Sequence, residues 1–302
     1  MRIFITGATG FLGGTLATRL SATHHVRGLV RSTADAASLA VAGIEPVLGN
    51  LDEAGLLAGE ARAADAVINA ADSDHAGAVD AILDALDGSG KPFLHTSGSS
   101  IVGSASGGEP QDDVYSEDDV YGDATWAPAS DKQARVSIDR RVLAAKARDI
   151  RSVVLCNSMV YGTGEGVRAD SVQIPRLVET ARRTGVVRHI GRGLNRWSNV
   201  SLDDACSLYL LALDKAPAGS FYFVENGEES FRAITEAIAA ALRLAPPQEM
   251  SVTDAVAEWG FEPAVYALGS NSRVRGRAAR DGLGWRPRQS SVTSWIRENV
   301  RP

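Results

Sequence analysis

Cysteine is almost missing from this chain: Cys156 and Cys206 are the only two in 302 residues. Both lie in apolar runs, so two buried thiols are expected rather than a disulfide, and with them a cytoplasmic setting. Histidine is scarce as well, at five residues. No Cys/His cluster has zinc-site spacing, and no metal is expected. Long apolar runs are lacking, which excludes a membrane-spanning helix of ordinary length. An excess of positive charge is lacking too. Thirty-one basic and 37 acidic residues leave a formal net charge of -6. That speaks against a nucleic-acid surface or a polybasic membrane patch. The sequence contains no internal repeat and no low-complexity segment.

Glycine is abundant, and its placement at the start of the chain carries the most information. Arg2-Ile3-Phe4-Ile5 is a short apolar run of the kind that forms a buried strand. Thr6-Gly7-Ala8-Thr9-Gly10-Phe11-Leu12-Gly13 follows directly, leaving no room for a signal peptide. Gly7 allows the tight turn off the strand. Gly10 removes a Cβ where a pyrophosphate approaches the backbone, and Gly13 lets the next helix pack closely on the sheet. That helix, about Phe11 to Leu20, points its N–H groups and positive dipole end at an anion. Strand, glycine turn and helix in succession are the context in which such a motif binds a dinucleotide.

The second strand, His25 to Val30, ends at Arg31-Ser32-Thr33 with no carboxylate. An acidic residue there holds a ribose 2′-hydroxyl, whereas an arginine holds a 2′-phosphate by a forked pair of N–H donors. Arg31 therefore favours NADP, with NAD as the alternative. Further strands are read at Ile44 to Leu48, Ala64 to Ala71, Lys91 to Thr96 and Ser152 to Met159. Helices are read at Ala76 to Leu86 and Ser130 to Ala147, the latter capped by Ser130 or Asp131. Residues 103–129 read as one long loop carrying Tyr115, Tyr121 and Trp126 over a substrate. The alternation predicts an α/β Rossmann fold, a doubly wound parallel sheet with a smaller C-terminal lobe. Residues 1–165 form the dinucleotide-binding domain, with 199–215 returning to it, and 166–302 are mainly substrate-binding lobe. Later helices are read at Ile174 to Thr184, Asp203 to Lys215 and Phe231 to Leu242, with Asp203 and Asp204 as an N-cap.

Together these motifs resemble the extended short-chain dehydrogenase/reductase superfamily, the group often called NAD-dependent epimerase/dehydratases. The marks include the glycine motif, Gly49-Asn-Leu-Asp52, Thr96-Ser-Gly-Ser99, Val160-Tyr-Gly162, Asn195-Arg-Trp197 and Leu283-Gly-Trp-Arg-Pro287. The resemblance implies that Gly7, Thr9, Gly10, Phe11, Leu12 and Gly13 cradle the pyrophosphate. It puts Arg31 and Ser32 at the adenosine phosphate, Asn50 and Leu51 beside the adenine, and Ala70 and Ala71 at the nicotinamide-side ribose. Asn157, Ser158 and Met159 fall beside the nicotinamide.

The family's proton donor, a tyrosine four residues before a lysine, is absent. None of the six tyrosines has lysine at that spacing. The matching helical positions hold Asp131 and Arg135, and the position of the family's serine holds Gly98. Ser97 and Ser99 flank it as substitute donors to a substrate oxygen. Tyr121, Tyr115 and Lys132 are the candidate replacement acids. His95 is either a proton shuttle or, more simply, a structural residue ending a core strand. Arg192 and Arg196 are either an anion-binding pair or solvated loop residues.

The leading expectation is an NADP(H)-dependent oxidoreductase acting on a small carbonyl or alcohol, atypical in lacking the tyrosine–lysine pair. A nucleotide-sugar epimerase or dehydratase and a non-catalytic NADPH-sensing regulator are the alternatives. The expected partner is a small-molecule substrate, and a homodimer is the commonest assembly of such folds.

Overall fold

The computed structural model describes residues 1–122 and 126–302. Strands β1 (Arg2–Thr6), β2 (His25–Val30), β3 (Glu45–Leu48), β4 (Ala66–Asn69), β5 (Pro92–Gly98), β6 (Arg151–Asn157) and β7 (Ser220–Val224) form one sheet. Its order is β7-β6-β5-β4-β1-β2-β3, and every pairing is parallel. The order reverses direction at β1, between β2 and β4, and a crevice opens beyond the strand ends there. Strands buried on both faces need apolar side chains at successive positions, as Ala66-Val67-Ile68 and Val153-Val154-Leu155-Cys156 supply.

Alternation along β1 divides the core. Ile3 and Ile5 point to one face, under α1 (Phe11–Ser21). Phe4 points to the other, with side chains from α3 (Ala54–Ala63) and α4 (Ala76–Leu86). Helix α2 (Thr33–Val41) follows β2, and Ser32 caps it by accepting a hydrogen bond from the Asp35 N–H at 3.1 Å. Helix α5 (Gln133–Ala144) covers the second face beside β5 and β6.

Residues of the second half return to the sheet as the edge strand β7. They also supply Trp285 and α7 (Leu202–Lys215) to the first core. A third core, including Tyr161, Leu177, Trp197, Phe231 and Ile296, lies among α6 (Gln173–Thr184), α8 (Phe231–Leu242) and neighbouring segments. Met159–Tyr161, Arg196–Ser201 and Glu228–Ser230 form a small three-stranded sheet in that region.

Several local expectations need correction. The span 103–129 is not one plain loop. Ser104–Ala105 and Tyr115–Ser116 pair with strands near residue 270, and Glu117–Tyr121 is a short helix with a capping box at Ser116. Residues 123–125 of that span lie outside the described ones. Helix α7 is capped by Ser201, which accepts from the Asp204 N–H at 3.1 Å. Asp203 and Asp204 occupy its first turn, where carboxylates meet the positive end of the helix. Neither Ser130 nor Asp131 makes a capping bond, because a short 3₁₀ turn, Ser130–Lys132, leads into α5. The strand expected to run to Met159 breaks at Ser158, whose backbone and hydroxyl both bond to the Val224 carbonyl. Both cysteines are buried and free, as expected.

Close backbone contact joins α1 to the segment after residue 161. A Cβ on Gly166 would lie 2.7 Å from the Gly14 carbonyl carbon. Gly166→Ala should therefore lower stability by about 1–3 kcal/mol, read from urea unfolding. Gly59, inside α3 with nothing near its added Cβ, is the opposite case. Gly59→Ala should raise stability by about 0.5–1 kcal/mol.

Candidate active site

The glycine turn builds a cavity from backbone. Gly7 takes φ +73°, and a Cβ there would sit 2.4 Å from the Ala70 carbonyl oxygen. A Cβ on Gly13 would meet the Gly7 oxygen, also at 2.4 Å. Only glycine lets the turn, the end of β4 and the start of α1 converge so tightly. The resulting crevice, of about 490 Å³, is lined by Gly7, Thr9, Gly10, Arg31, Asn50 and Leu51, and by Ala70 and Ala71. These are eight of the positions assigned to the dinucleotide from sequence. Asp35, Asp72, His75 and Arg168 line it as well and were not singled out by sequence. Arg168 comes from residues 162–170, a segment pinned to α1 by the Gly14–Gly166 contact. The Glu165 N–H also donates to the Thr15 hydroxyl at 3.0 Å.

The other assigned residues sit elsewhere. Phe11, Leu12 and Gly13 are in the first turn of α1. The Ser32 hydroxyl is occupied as the cap of α2. Asn157 donates to the Tyr209 hydroxyl at 2.8 Å, Ser158 donates to the Val224 carbonyl, and Met159 packs in the third core. None of these last three lines the crevice.

A second cavity, of about 480 Å³, lies across the turn at residues 72–75. Asp72 and His75 face the crevice, and Asp74 faces this cavity. Arg135 grips both oxygens of Asp74, with its Nε 2.7 Å from Oδ1. The pairing holds the Asp74 carboxyl below the usual range for aspartate. A third Arg135 nitrogen, Nη1, donates to the Ser100 hydroxyl oxygen at 2.8 Å. Lys132 pairs with Asp131 at 2.9 Å, and its ammonium lies 4.0 Å from the Tyr266 ring centre. Asp131 and Arg135, which the family resemblance puts at the positions of the missing tyrosine and lysine, thus line this cavity with Ser100.

The substitute donors chosen from sequence point elsewhere. His95 and Ser97 are two apart on β5 and share a face toward α5. Ser97 donates to Asp139 Oδ2 at 2.8 Å, and the Tyr121 hydroxyl approaches the same oxygen at 3.3 Å. Tyr121 packs on Phe221 and borders neither cavity. Burial, then the nearby Asp139 charge, pushes its phenol far above the ordinary value. The Ser99 hydroxyl is buried against that of Ser272 at 2.8 Å. The serine that lines the second cavity is Ser100, one residue beyond Ser99. Arg192 is paired with Glu109 and Arg196 with Glu228, and neither borders this cavity.

Residues 3–224 match the NAD dependent epimerase/dehydratase family. The chain belongs to that family. It is 30% identical over 322 residues to the oxidase ucsJ of an Acremonium species, covering 95% of this chain and 92% of that one. It is 27% identical to a farnesyl-dihydroquinoline-oxide ketoreductase of Stigmatella aurantiaca, over 75% of this chain and 69% of that one. Among solved structures, dTDP-glucose 4,6-dehydratase from Bacillus anthracis in complex with NAD superimposes with a TM-score of 0.77 at 18% identity. That match covers 99% of this chain and 95% of the other. The chain is therefore an epimerase/dehydratase-family enzyme of the extended short-chain dehydrogenase/reductase type, with the Rossmann architecture expected from its sequence. The family's dinucleotide, NAD or NADP, fits the crevice: the glycine cradle a Cβ would fill is intact. Among the described residues no group of His, Cys, Asp and Glu could hold a metal, and no helix could cross a membrane.

Beneath the second cavity His95 and Asp139 are both fully buried, with His95 Nε2 and Asp139 Oδ1 3.6 Å apart and otherwise unpartnered. Burial pushes His95 down to about 4. It pushes Asp139 up to about 7, against the opposing bonds from Ser97 and Tyr121. The depressed histidine costs stability as pH falls from 6.5 toward about 4. The raised carboxyl contributes stability at low pH that is lost as pH climbs from 3.8 to about 7. In the shared window the two slopes oppose each other. Asp139→Asn removes only the second. Relative to wild type, its stability should rise with pH between about 4.5 and 6.5 by up to about 1.4 kcal/mol per unit, because the opposing slope of the raised carboxyl is gone. Urea unfolding of both proteins across that range checks it, and a stability difference that does not change with pH contradicts it.

Proposed function

We propose that the protein is an NADP(H)-dependent oxidoreductase that reduces a small carbonyl compound, or oxidises the matching alcohol, in the cavity beside the cofactor crevice. The observation that carries this reading is the meeting of a dinucleotide crevice and a polar cavity across one short turn at the strand ends. The relatives named as an oxidase and a ketoreductase support redox chemistry on a small molecule. The preference for NADP rests on Arg31, which lines the crevice and has no ion-pair partner among the described residues. A 2′-phosphate would give it one.

When bound, the cofactor supplies or accepts the hydride. The chain's own groups do the rest. Ser100 donates a hydrogen bond to the substrate oxygen. Because Arg135 already donates into the Ser100 oxygen, the hydroxyl hydrogen is left to point at another acceptor. Asp74 fixes the guanidinium and hence the serine, so Arg135 and Asp74 are positioning residues. Lys132, the ammonium in the same cavity, delivers the proton that balances the hydride. In this reading Ser100 and Lys132 replace Ser97, Ser99 and Tyr121 as the groups that face substrate.

Fluorescence titration with NADPH and NADH tests the cofactor. Arg31→Ala should weaken NADPH binding by about tenfold or more and leave NADH nearly unchanged. Equal binding of both cofactors, untouched by the substitution, overturns the assignment. On a panel of carbonyl substrates, Ser100→Ala should lower kcat by about 10²–10³ with NADPH affinity retained. A kcat equal to wild type removes Ser100 from the mechanism.

A further inference from the structure

Resting on the reading of the second cavity as the substrate site, the unsatisfied groups in its wall narrow the class of substrate. Charged side chains there are mostly matched. Arg135 is held by Asp74, and Lys132 by Asp131 and the Tyr266 ring. Glu262 is at the exposed rim. The exception is on α6. Gln173 Nε2 and Arg176 Nη1 are both buried atoms with no hydrogen-bond partner, and both residues line the cavity. They are three apart in one helix and so lie on one side of it, a turn apart. Arg176 has no ion-pair partner among the described residues. A buried N–H without an acceptor is costly, and a buried guanidinium nitrogen more so. Both groups are donors.

The rest of the wall is apolar or presents ring faces. Trp197 is only 6% exposed. Its indole N–H is occupied by the Ser270 carbonyl at 2.9 Å, so it offers the cavity no free donor. Tyr266, Pro263, Ala267 and Leu268 complete that side.

We infer that the substrate is an organic acid with an apolar or aromatic body. Its carboxylate is bound by Arg176 and Gln173, and its reacting carbonyl or alcohol is turned toward Ser100. A planar carboxylate offers two acceptors and a full negative charge, which answers both orphaned donors at once. The apolar wall takes the body of the molecule, and the Arg135–Ser100 corner takes the oxygen that changes. The acid anchor is spatially separate from the cofactor crevice, whose lining contains neither Gln173 nor Arg176. A phosphoryl group offers similar acceptor chemistry, and the test separates the two.

The probe is benzoate, with benzamide as the uncharged control and UDP-glucose as the phosphate-bearing control. Melting of the full-length protein is followed at constant ionic strength, with and without saturating NADP. Benzoate should raise the melting temperature of the wild type in a saturable way, and benzamide should not. In Arg176→Met the apparent benzoate affinity should fall by about tenfold or more. The same variant without ligand should melt no lower than wild type, because methionine keeps the apolar stem and removes an unpaired charge. Gln173→Leu should behave likewise with a smaller loss. A benzoate effect that is absent, or equal in wild type and Arg176→Met, overturns the proposal. So does an Arg176-dependent response to UDP-glucose without one to benzoate, since the anchor would then serve a phosphoryl group. A marked drop in the ligand-free melting temperature of Arg176→Met makes the arginine structural and also overturns it. Failure of the NADPH titration leaves the benzoate result standing, so the two readings fail separately.

Discussion

A helix lies against a sheet here with no side chain between them at the point of closest approach. Gly13 rests on the Gly7 carbonyl, Gly7 on the end of β4 at Ala70, and Gly166 on Gly14. These contacts fix where the first helix starts relative to the strand ends, and so fix the width of the crevice. A single Cβ at any of them would enter space held by backbone, which cannot swing aside as a flexible side chain can. The same contacts dock the segment 162–170, which brings Arg168 to the rim of the crevice although it is distant in sequence.

The two cavities differ in how their charge is arranged. In the crevice, Arg31 has no ion-pair partner among the described residues, as suits a site for a highly charged ligand. In the second cavity, Arg135 is already paired with Asp74 and serves as scaffolding, and Arg176 is the cation left without an ion-pair partner among the described residues. Asp74 sets Arg135, and Arg135 sets Ser100. Burial holds His95 and Asp139 away from their ordinary ionisation, and the Ser97 hydroxyl ties β5 to α5 through Asp139.

Much of the crevice was legible in the sequence because its determinants are contiguous. A strand, three spaced glycines and a helix are written in the first 21 residues, and Arg31 ends the next strand. The second cavity was legible only in part. The slots of the missing tyrosine and lysine pointed to Asp131 and Arg135. Choosing Ser100 over Ser97 and Ser99 requires knowing where β5 stops. The strand's alternation sends Ser97 inward with His95, and the 3₁₀ turn that begins at Ser99 then breaks the alternation and turns Ser100 outward. Asp74, Gln173 and Arg176 converge from segments about 100 residues apart, with no motif between them to announce it. The placement of Asn157, Ser158 and Met159 came from family resemblance, and in this chain their contacts run to Tyr209, Val224 and the third core.

The central claim is that a dinucleotide occupies the glycine crevice while the neighbouring cavity awaits a second molecule. Hydrogen–deuterium exchange with and without NADP addresses it most directly. The account predicts added protection at residues 7–14, 70–75 and 162–170. Residues 173–176 on α6 should exchange as before until an acid ligand is added. Protection that spares the glycine turn, or that appears on α6 with the cofactor alone, would contradict it.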